Sequence, residues 1–236
     1  MTEPETHLYR EIGGHSLELE VVRPAGGGSA TPCVVFFHGG AWRIGERGQF
    51  LPQCRALAER GATAITVTYR LVTDGGENTP IDCSDDAAHA VAWVRSHAAE
   101  LGVDPRKIAA GGGSAGGQMA GAIASAGTEL AALVLFNPAL GPDGTPCLSF
   151  LGDGSPDWPV DAGYPPTLVL HGTADSLVPI DHSRRFAERM KTVGNRCELI
   201  EYEGMQHAFF NHPAPEGRYD ETLAEMLRFL ESANLL

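Results

Sequence analysis

The sequence predicts an α/β fold: a mostly parallel central sheet with helices on both faces. Three observations carry that expectation. Apolar runs such as CVVFF (33–37) and LAALVLF (130–136) show no polar alternation, the pattern of strands buried on both sides. These runs alternate with amphipathic stretches, and repeated strand–helix alternation specifies a parallel sheet. Between one strand and one helix lies AAGGGSAGGQ, Ala109 to Gln118, with five glycines around a single serine. Glycine is costly to order, so its concentration there means that the backbone needs space which a side chain would fill.

The elements follow in order. Residues 17–22 (LELEVV) alternate and read as an early strand. A glycine-rich turn leads to CVVFF, which ends at HGGAW. FLPQCRALAERG (50–61) reads as a helix stopped by Gly61, and ATAITVTY (62–69) as a β-branched strand. Residues 80–102 form one long amphipathic pattern between Pro80 and Gly102. RKIAAG (106–111) feeds the glycine cluster, and GQMAGAIASA (117–126) is a small-residue helix. Strands are expected at 130–138, 165–172 and 197–204, and helices at 181–194 and 221–233. One stretch breaks the alternation. Residues 137–165 are rich in Pro, Gly and Asp. Connections beyond about 12–15 residues are uncommon and often cover binding sites, so a lid-like insertion over the strand ends is expected here. Nothing else interrupts the chain, and 1–236 reads as a single domain.

Composition narrows the function classes. The 236 residues are 43% hydrophobic, with 17 basic against 30 acidic side chains and a formal charge of −13. Such a chain repels phosphates and anionic lipid, which argues against nucleic acid and membrane partners. No apolar run approaches the roughly 20 residues that span a bilayer. The polar N-terminus shows no export leader, so the chain reads at face value as cytoplasmic; the alternative is an exported protein whose leader has been replaced by the start Met. Five cysteines contain no C-x-x-C pair, so no zinc site is expected. Cys33 reads as a buried small residue. Cys54 and Cys83 lie near the starts of two predicted helices and could form a disulfide if those starts meet at one sheet edge.

Gly112–Gly116 is a G-x-S-x-G motif that follows a strand and opens a helix, the context of a nucleophile elbow. Ser114 is the candidate nucleophile, and it needs a base. Of nine histidines, His207 follows the last predicted strand and fits the chain order Ser…Asp…His. His182 and His212 are its rivals. His38 belongs to the HGGAW loop, His89 and His97 to the long helix, and His171 ends a strand where it would order the next loop. Asp175, in a short loop after a strand, is the candidate partner of His207, whereas Asp181 reads as a helix N-cap. Backbone N–H groups of Gly39, Gly40 and Ala115 are the candidates for stabilising a developing oxyanion. Trp42 either lines the acyl pocket or packs against its own loop.

HGGAW, GGGSAGG, HGTADSLVP and EGMQHAFF, in this order across nearly the whole chain, resemble the α/β-hydrolases of the hormone-sensitive lipase-like and feruloyl/acetyl esterase group. The resemblance implies carboxylic ester hydrolysis through an acyl-enzyme, with no metal or organic cofactor and a small-molecule ester as substrate. Acetylated carbohydrates are one class it suggests. It carries the nucleophile onto Ser114, its partners onto Asp175 and His207, and the oxyanion donors onto Gly39, Gly40 and Ala115. There are departures: many relatives have an acidic residue where this chain has Gly113, and Gly-His-Gly where it has Gln206-His207-Ala208. The chain also lacks the long helical N-terminal cap of the lipase-like members, so no large cap is expected. An arylformamidase or amidase with the same triad is the alternative reading. A non-catalytic binding protein, as some plant hormone receptors on this fold are, is disfavoured by the presence of His207. The oligomeric state, monomer or homodimer, stays open.

Overall fold

The computed structural model describes residues 3–26, 30–73, 76–140, 160–213 and 217–236. Eight strands form one sheet: β1 (Glu5–Ile12), β2 (His15–Val22), β3 (Thr31–Phe37), β4 (Thr63–Val67), β5 (Val103–Gly113), β6 (Leu133–Phe136), β7 (Thr167–Gly172) and β8 (Cys197–Tyr202). Their spatial order is β1-β2-β4-β3-β5-β6-β7-β8. β1 and β2 join antiparallel at one edge, and the rest run parallel from β4 to β8. The helices are α1 (Leu51–Glu59), α2 (Pro80–Ser96), α3 (Ala98–Leu101), α4 (Ala115–Ser125), α5 (Asp181–Thr192) and α6 (Tyr219–Ser232).

Successive strand residues face opposite sides, and the sheet accordingly separates two cores. Val35 and Phe37 of β3 join one with Val91 of α2, Met119 of α4 and Met190 of α5. Val34 and Phe36 join the other with Leu57 of α1 and Met226 and Phe229 of α6. This division corrects the disulfide expectation. Cys54 of α1 lies in the second core and Cys83 of α2 in the first. Both are free thiols with the sheet between them.

The register aligns the strand ends that matter. Phe37 pairs with Gly112, Gly113 with Phe136, Phe136 with Leu170, and Gly172 with Tyr202. The loops leaving β3, β5, β6, β7 and β8 therefore emerge together at the carboxyl edge, where open α/β sheets bind their ligands.

Three elements differ from the sequence expectation. β1 is an added edge strand in which Tyr9 is the buried position, so its other residues carry no apolar run. The pattern over 80–102 divides at His97 into α2 and α3. Asp181 is the first residue of α5 and not its cap, and its carboxylate accepts from Arg184. α2 itself starts on a capping box: the Thr79 N–H donates to Asp82 Oδ2 at 2.8 Å, and the Asp82 N–H to Thr79 Oγ1. Most of the expected lid, residues 141–159, lies outside the described residues. Among the described residues no helix is long and apolar enough to cross a membrane, and no group of three or more His, Cys, Asp or Glu could hold a metal ion.

Candidate active site

Ser114 stands between β5 and α4 with φ 52° and ψ −115°, a conformation that a side-chain-bearing residue adopts only when its surroundings enforce it. The enforcement is visible. The Ser114 N–H donates to the Phe136 carbonyl at 2.9 Å, and the Ser114 carbonyl accepts from Gln118 and Ala139, each at 3.0 Å. The turn brings α4 against β3 so closely that a Cβ on Gly116 would lie 1.9 Å from the Phe37 carbonyl oxygen. Gly113 has a different reason. A Cβ there would lie 2.4 Å from Cζ of Phe210, whose ring packs against Phe136 at 4.7 Å and Phe50 at 5.6 Å between centroids. The base-bearing loop fills the space where many relatives place an acidic side chain.

His207 and Asp175 arrive from the loops after β8 and β7. The His207 Nδ1–H donates to Asp175 Oδ2 at 2.6 Å, which leaves Nε2 as the basic nitrogen. Asp175 Oδ1 accepts the N–H groups of Leu177 and Val178, each at 2.9 Å. His171, fully buried, places Nε2–H between the Val178 carbonyl at 2.9 Å and Asp175 Oδ2 at 3.2 Å, with Ser183 Oγ at 2.7 Å from its Nδ1. Burial works against the Asp175 carboxylate, but the hydrogen bonds from His171, His207 and the Val178 N–H outweigh it. They hold the carboxyl well below the usual carboxylate range.

Ser114 and His207 border one cleft of about 530 Å³ whose walls include Trp42, Ile44, Ala139, Leu177 and Phe210. Trp42 is buried in the first core and also borders the cleft. The rival histidines stay away from Ser114. His182 bonds the Leu140 carbonyl, and His212 packs edge-on to Tyr219.

The HGGAW loop separates the proposed oxyanion donors. The Gly39 N–H already donates to Gln49 Oε1 at 2.7 Å, while Gly39 itself borders the cleft. The N–H groups of Gly40, Ala41 and Ala115 make no hydrogen bond among the described residues. Gly40 and Ala41 border the cleft, and Ala115 opens α4, so Ala41 enters as a donor candidate that the sequence reading missed. The loop is anchored beneath by Tyr69, whose hydroxyl donates to the His38 carbonyl at 2.9 Å. Burial pushes the His38 imidazole down, and its Nδ1–H donates to the Gly39 carbonyl. Gln49 was also missed. Its Nε2 donates to Asn211 Oδ1 at 2.9 Å, tying the HGGAW loop to the His207 loop. No cysteine competes as nucleophile among the described residues: burial pushes the Cys83 and Cys197 thiols up to about 12, and raises those of Cys33 and Cys54 as well.

The chain is similar to known proteins along most of its length. The BD-FAE family model matches residues 19–135, and the alpha/beta hydrolase fold model matches residues 145–211. Esterase 2 of Thermogutta terrifontis, in a structure phosphoramylated by tabun, superposes with a TM-score of 0.90 at 37% identity, covering 99% of this chain and 96% of that one. A propionate-bound structure of that esterase gives 0.88 at 37% identity, covering 99% and 95%. The probable carboxylic ester hydrolase LipM of Mycobacterium tuberculosis is 33% identical over 217 residues, 76% of this chain and 49% of that protein. This chain spans about half the length of the curated relatives it matches. With the elbow, the strand order and these matches in agreement, the chain belongs to the alpha/beta hydrolase fold family.

Proposed function

We propose that this chain hydrolyses small, uncharged carboxylic esters through an acyl-serine intermediate. The observation that carries the reading is the 2.6 Å bond from His207 Nδ1–H to Asp175, made at the rim of the cleft that Ser114 borders. In the first half-reaction Ser114 Oγ attacks the ester carbonyl carbon while its proton passes to His207 Nε2. Asp175 keeps Nδ1–H in place and stabilises the imidazolium that forms. The carbonyl oxygen becomes an oxyanion, met by the N–H groups of Gly40, Ala41 and Ala115 at the positive end of α4. Collapse breaks the bond to the alcohol oxygen, which takes the proton from Nε2. In the second half-reaction water attacks the acyl group with His207 again as base, and the acid and Ser114 are released.

The cleft narrows the substrate class. Ile44 is 70% exposed and Leu177 50% exposed, and both stand at its border. Water-exposed aliphatic side chains beside a reactive serine favour an apolar substrate group, by about 25 cal/mol for each Å² they cover. Two of the polar side chains nearby are committed: Gln49 bonds Gly39 and Asn211, and Asn137 bonds Ala208; Arg43 adds a charged side chain to the lining. Sugar hydroxyls would find few partners, so the lining favours short aliphatic or aromatic esters over the acetylated carbohydrates that the family resemblance suggests. The propionate found on the Thermogutta esterase supports a short acyl group, and its phosphoramylation by tabun is what an activated nucleophile gives.

The test is a turnover panel of p-nitrophenyl esters of rising chain length, an acetylated xylooligosaccharide, and N-formylkynurenine. The wild type should turn over short p-nitrophenyl esters, and Ser114→Ala should lose several powers of ten in kcat, since triad knockouts reach about 10⁶. Near-normal turnover by Ser114→Ala would sink the assignment. Preference for N-formylkynurenine would replace the ester reading with the formamidase one.

A further inference from the structure

Asn137 borders the same cleft as Ser114 and His207, and the reaction above leaves it unused. It follows β6, is fully buried, and has φ 34°. Ala208, against it, has φ 62°. Two non-glycine residues in left-handed conformations, touching at one point, mark a contact that the surroundings enforce. The Asn137 N–H donates to the Leu170 carbonyl at 2.7 Å, which fixes its backbone. Its Oδ1 accepts the Ala208 N–H at 3.0 Å, which fixes the orientation of the amide. Nδ2 is thereby left facing His207 Nε2 at 3.4 Å. Because the neutral His207 ring keeps its proton on Nδ1 and donates that N–H to Asp175, Nε2 presents a lone pair, and the Asn137 amide is a donor aimed at it. Ser114 Oγ, in contrast, makes no hydrogen bond among the described residues.

We propose that Asn137 is a positioning residue for the base: it donates to the His207 Nε2 lone pair in the resting enzyme and yields that lone pair to the Ser114 hydroxyl when an ester enters. The inference rests on the serine mechanism proposed above. A donor facing the neutral imidazole favours the neutral form, whereas a proton on Nε2 would face the amide donor to donor. Asn137 therefore does two things. It holds the ring with the Nε2 lone pair presented to the cleft, and its amide donor, facing a proton placed on Nε2 during reaction, favours onward transfer of that proton to the leaving alcohol. The other groups that meet the ring are Asp175 at Nδ1, with His171 behind it on the same carboxylate, and neither changes when residue 137 is altered.

Asn137→Asp tests this, because it keeps the shape and the acceptor for the Ala208 N–H but replaces the donor at Nε2 with a carboxylate oxygen. The acid limb of kcat/KM should move to higher pH by about one unit or more, the range for an adjacent opposite charge. The His207 imidazole, followed by NMR, should move with it. Asn137→Ala should move both in the same direction by less and lower the plateau kcat with little change in KM. In Asn137→Ala, which adds no charge, a merely structural role would lower the rate at every pH without moving either midpoint. Wild-type titration of His207 in a folded Asn137→Asp protein would overturn the proposal; if that variant does not fold, an unmoved His207 titration in Asn137→Ala overturns it. The NMR measurement does not depend on turnover. Absence of esterase activity in the wild type would count against the serine mechanism and leave the Asn137 contact separately measurable.

Discussion

At the scale of single residues, the site is governed by space and by protons. Gly113 shows the first. Phe210 occupies the volume of a Cβ at that position and is itself held between Phe50 and Phe136. Gly113→Ala should therefore destabilise the fold by about 1–3 kcal/mol, the usual result of overpacking. Measured by urea unfolding, the loss should shrink in a Phe210→Ala background, and equal losses in both backgrounds would show that the ring is not the obstacle. Asp175 shows the second. Its folded-state carboxyl lies below its usual range, so the folded chain binds that proton more weakly than the unfolded one. The stabilisation is complete above the unfolded value near 3.9 and is lost as pH falls through the lower folded value, by about 1.4 kcal/mol per unit of separation until both forms are protonated. Asp175→Asn should thus cost more stability at pH 7 than at about pH 3, read as the gap between unfolding midpoints. A gap of equal size at both would mean that the donors around Asp175 do not act on its charge. Ser114, Asp175 and His207 were legible in the sequence because each sits in a short motif directly after a strand. Gln49 and Asn137 were not. Gln49 acts through Asn211, 162 residues away, and Asn137 through Ala208, 71 residues away, and no local pattern encodes such a pairing.

At the scale of elements, α2 is fastened to the sheet by charge. Asp86, fully buried, accepts from Arg10 of β1 at 2.6 Å, from Arg70 Nε at 2.8 Å and from the Arg70 N–H at 3.0 Å. Removing one member of a buried ionic group leaves the others desolvated without compensation, a loss of about 3–5 kcal/mol. Asp85 and Asp82 also reach these arginines, so Asp86→Ala should fall near the lower end, about 3 kcal/mol. Thermal and urea unfolding check this, and a loss under about 1 kcal/mol would reduce the network to a surface ion pair. Arg10 also explains why β1 escaped the sequence reading. The strand is held at its edge by side-chain contact to α2, by pairing with β2 and by Tyr9 and Ile12 against the first core, and it carries no continuous apolar run. The division at His97 was equally silent. The apolar spacing continues across it, while His97 stacks on Trp93 at 4.0 Å and bonds its carbonyl, turning the chain without altering its pattern.

At the scale of the molecule, the class of fold was legible because doubly buried strands have a distinctive composition. The order of strands was not, since β4 precedes β5 in the chain yet lies on the far side of β3. The same gap misled the disulfide expectation: two cysteines near helix starts look adjacent until the sheet is known to run between the helices. The chain also distributes its chemistry unevenly along its length. Ser114 and the HGGAW loop belong to the first half, whereas Asp175, His207 and Phe210 follow, and the second core waits for Met226 and Phe229 of α6. On the ribosome, where domains emerge from the N-terminus onward, the serine is made well before the groups that would activate it. The floor beneath Gly113 stays open until residue 210 has been synthesised, so a nascent chain that has reached only Ser114 holds an unarmed nucleophile, and later elements of the chain complete both the packing and the site.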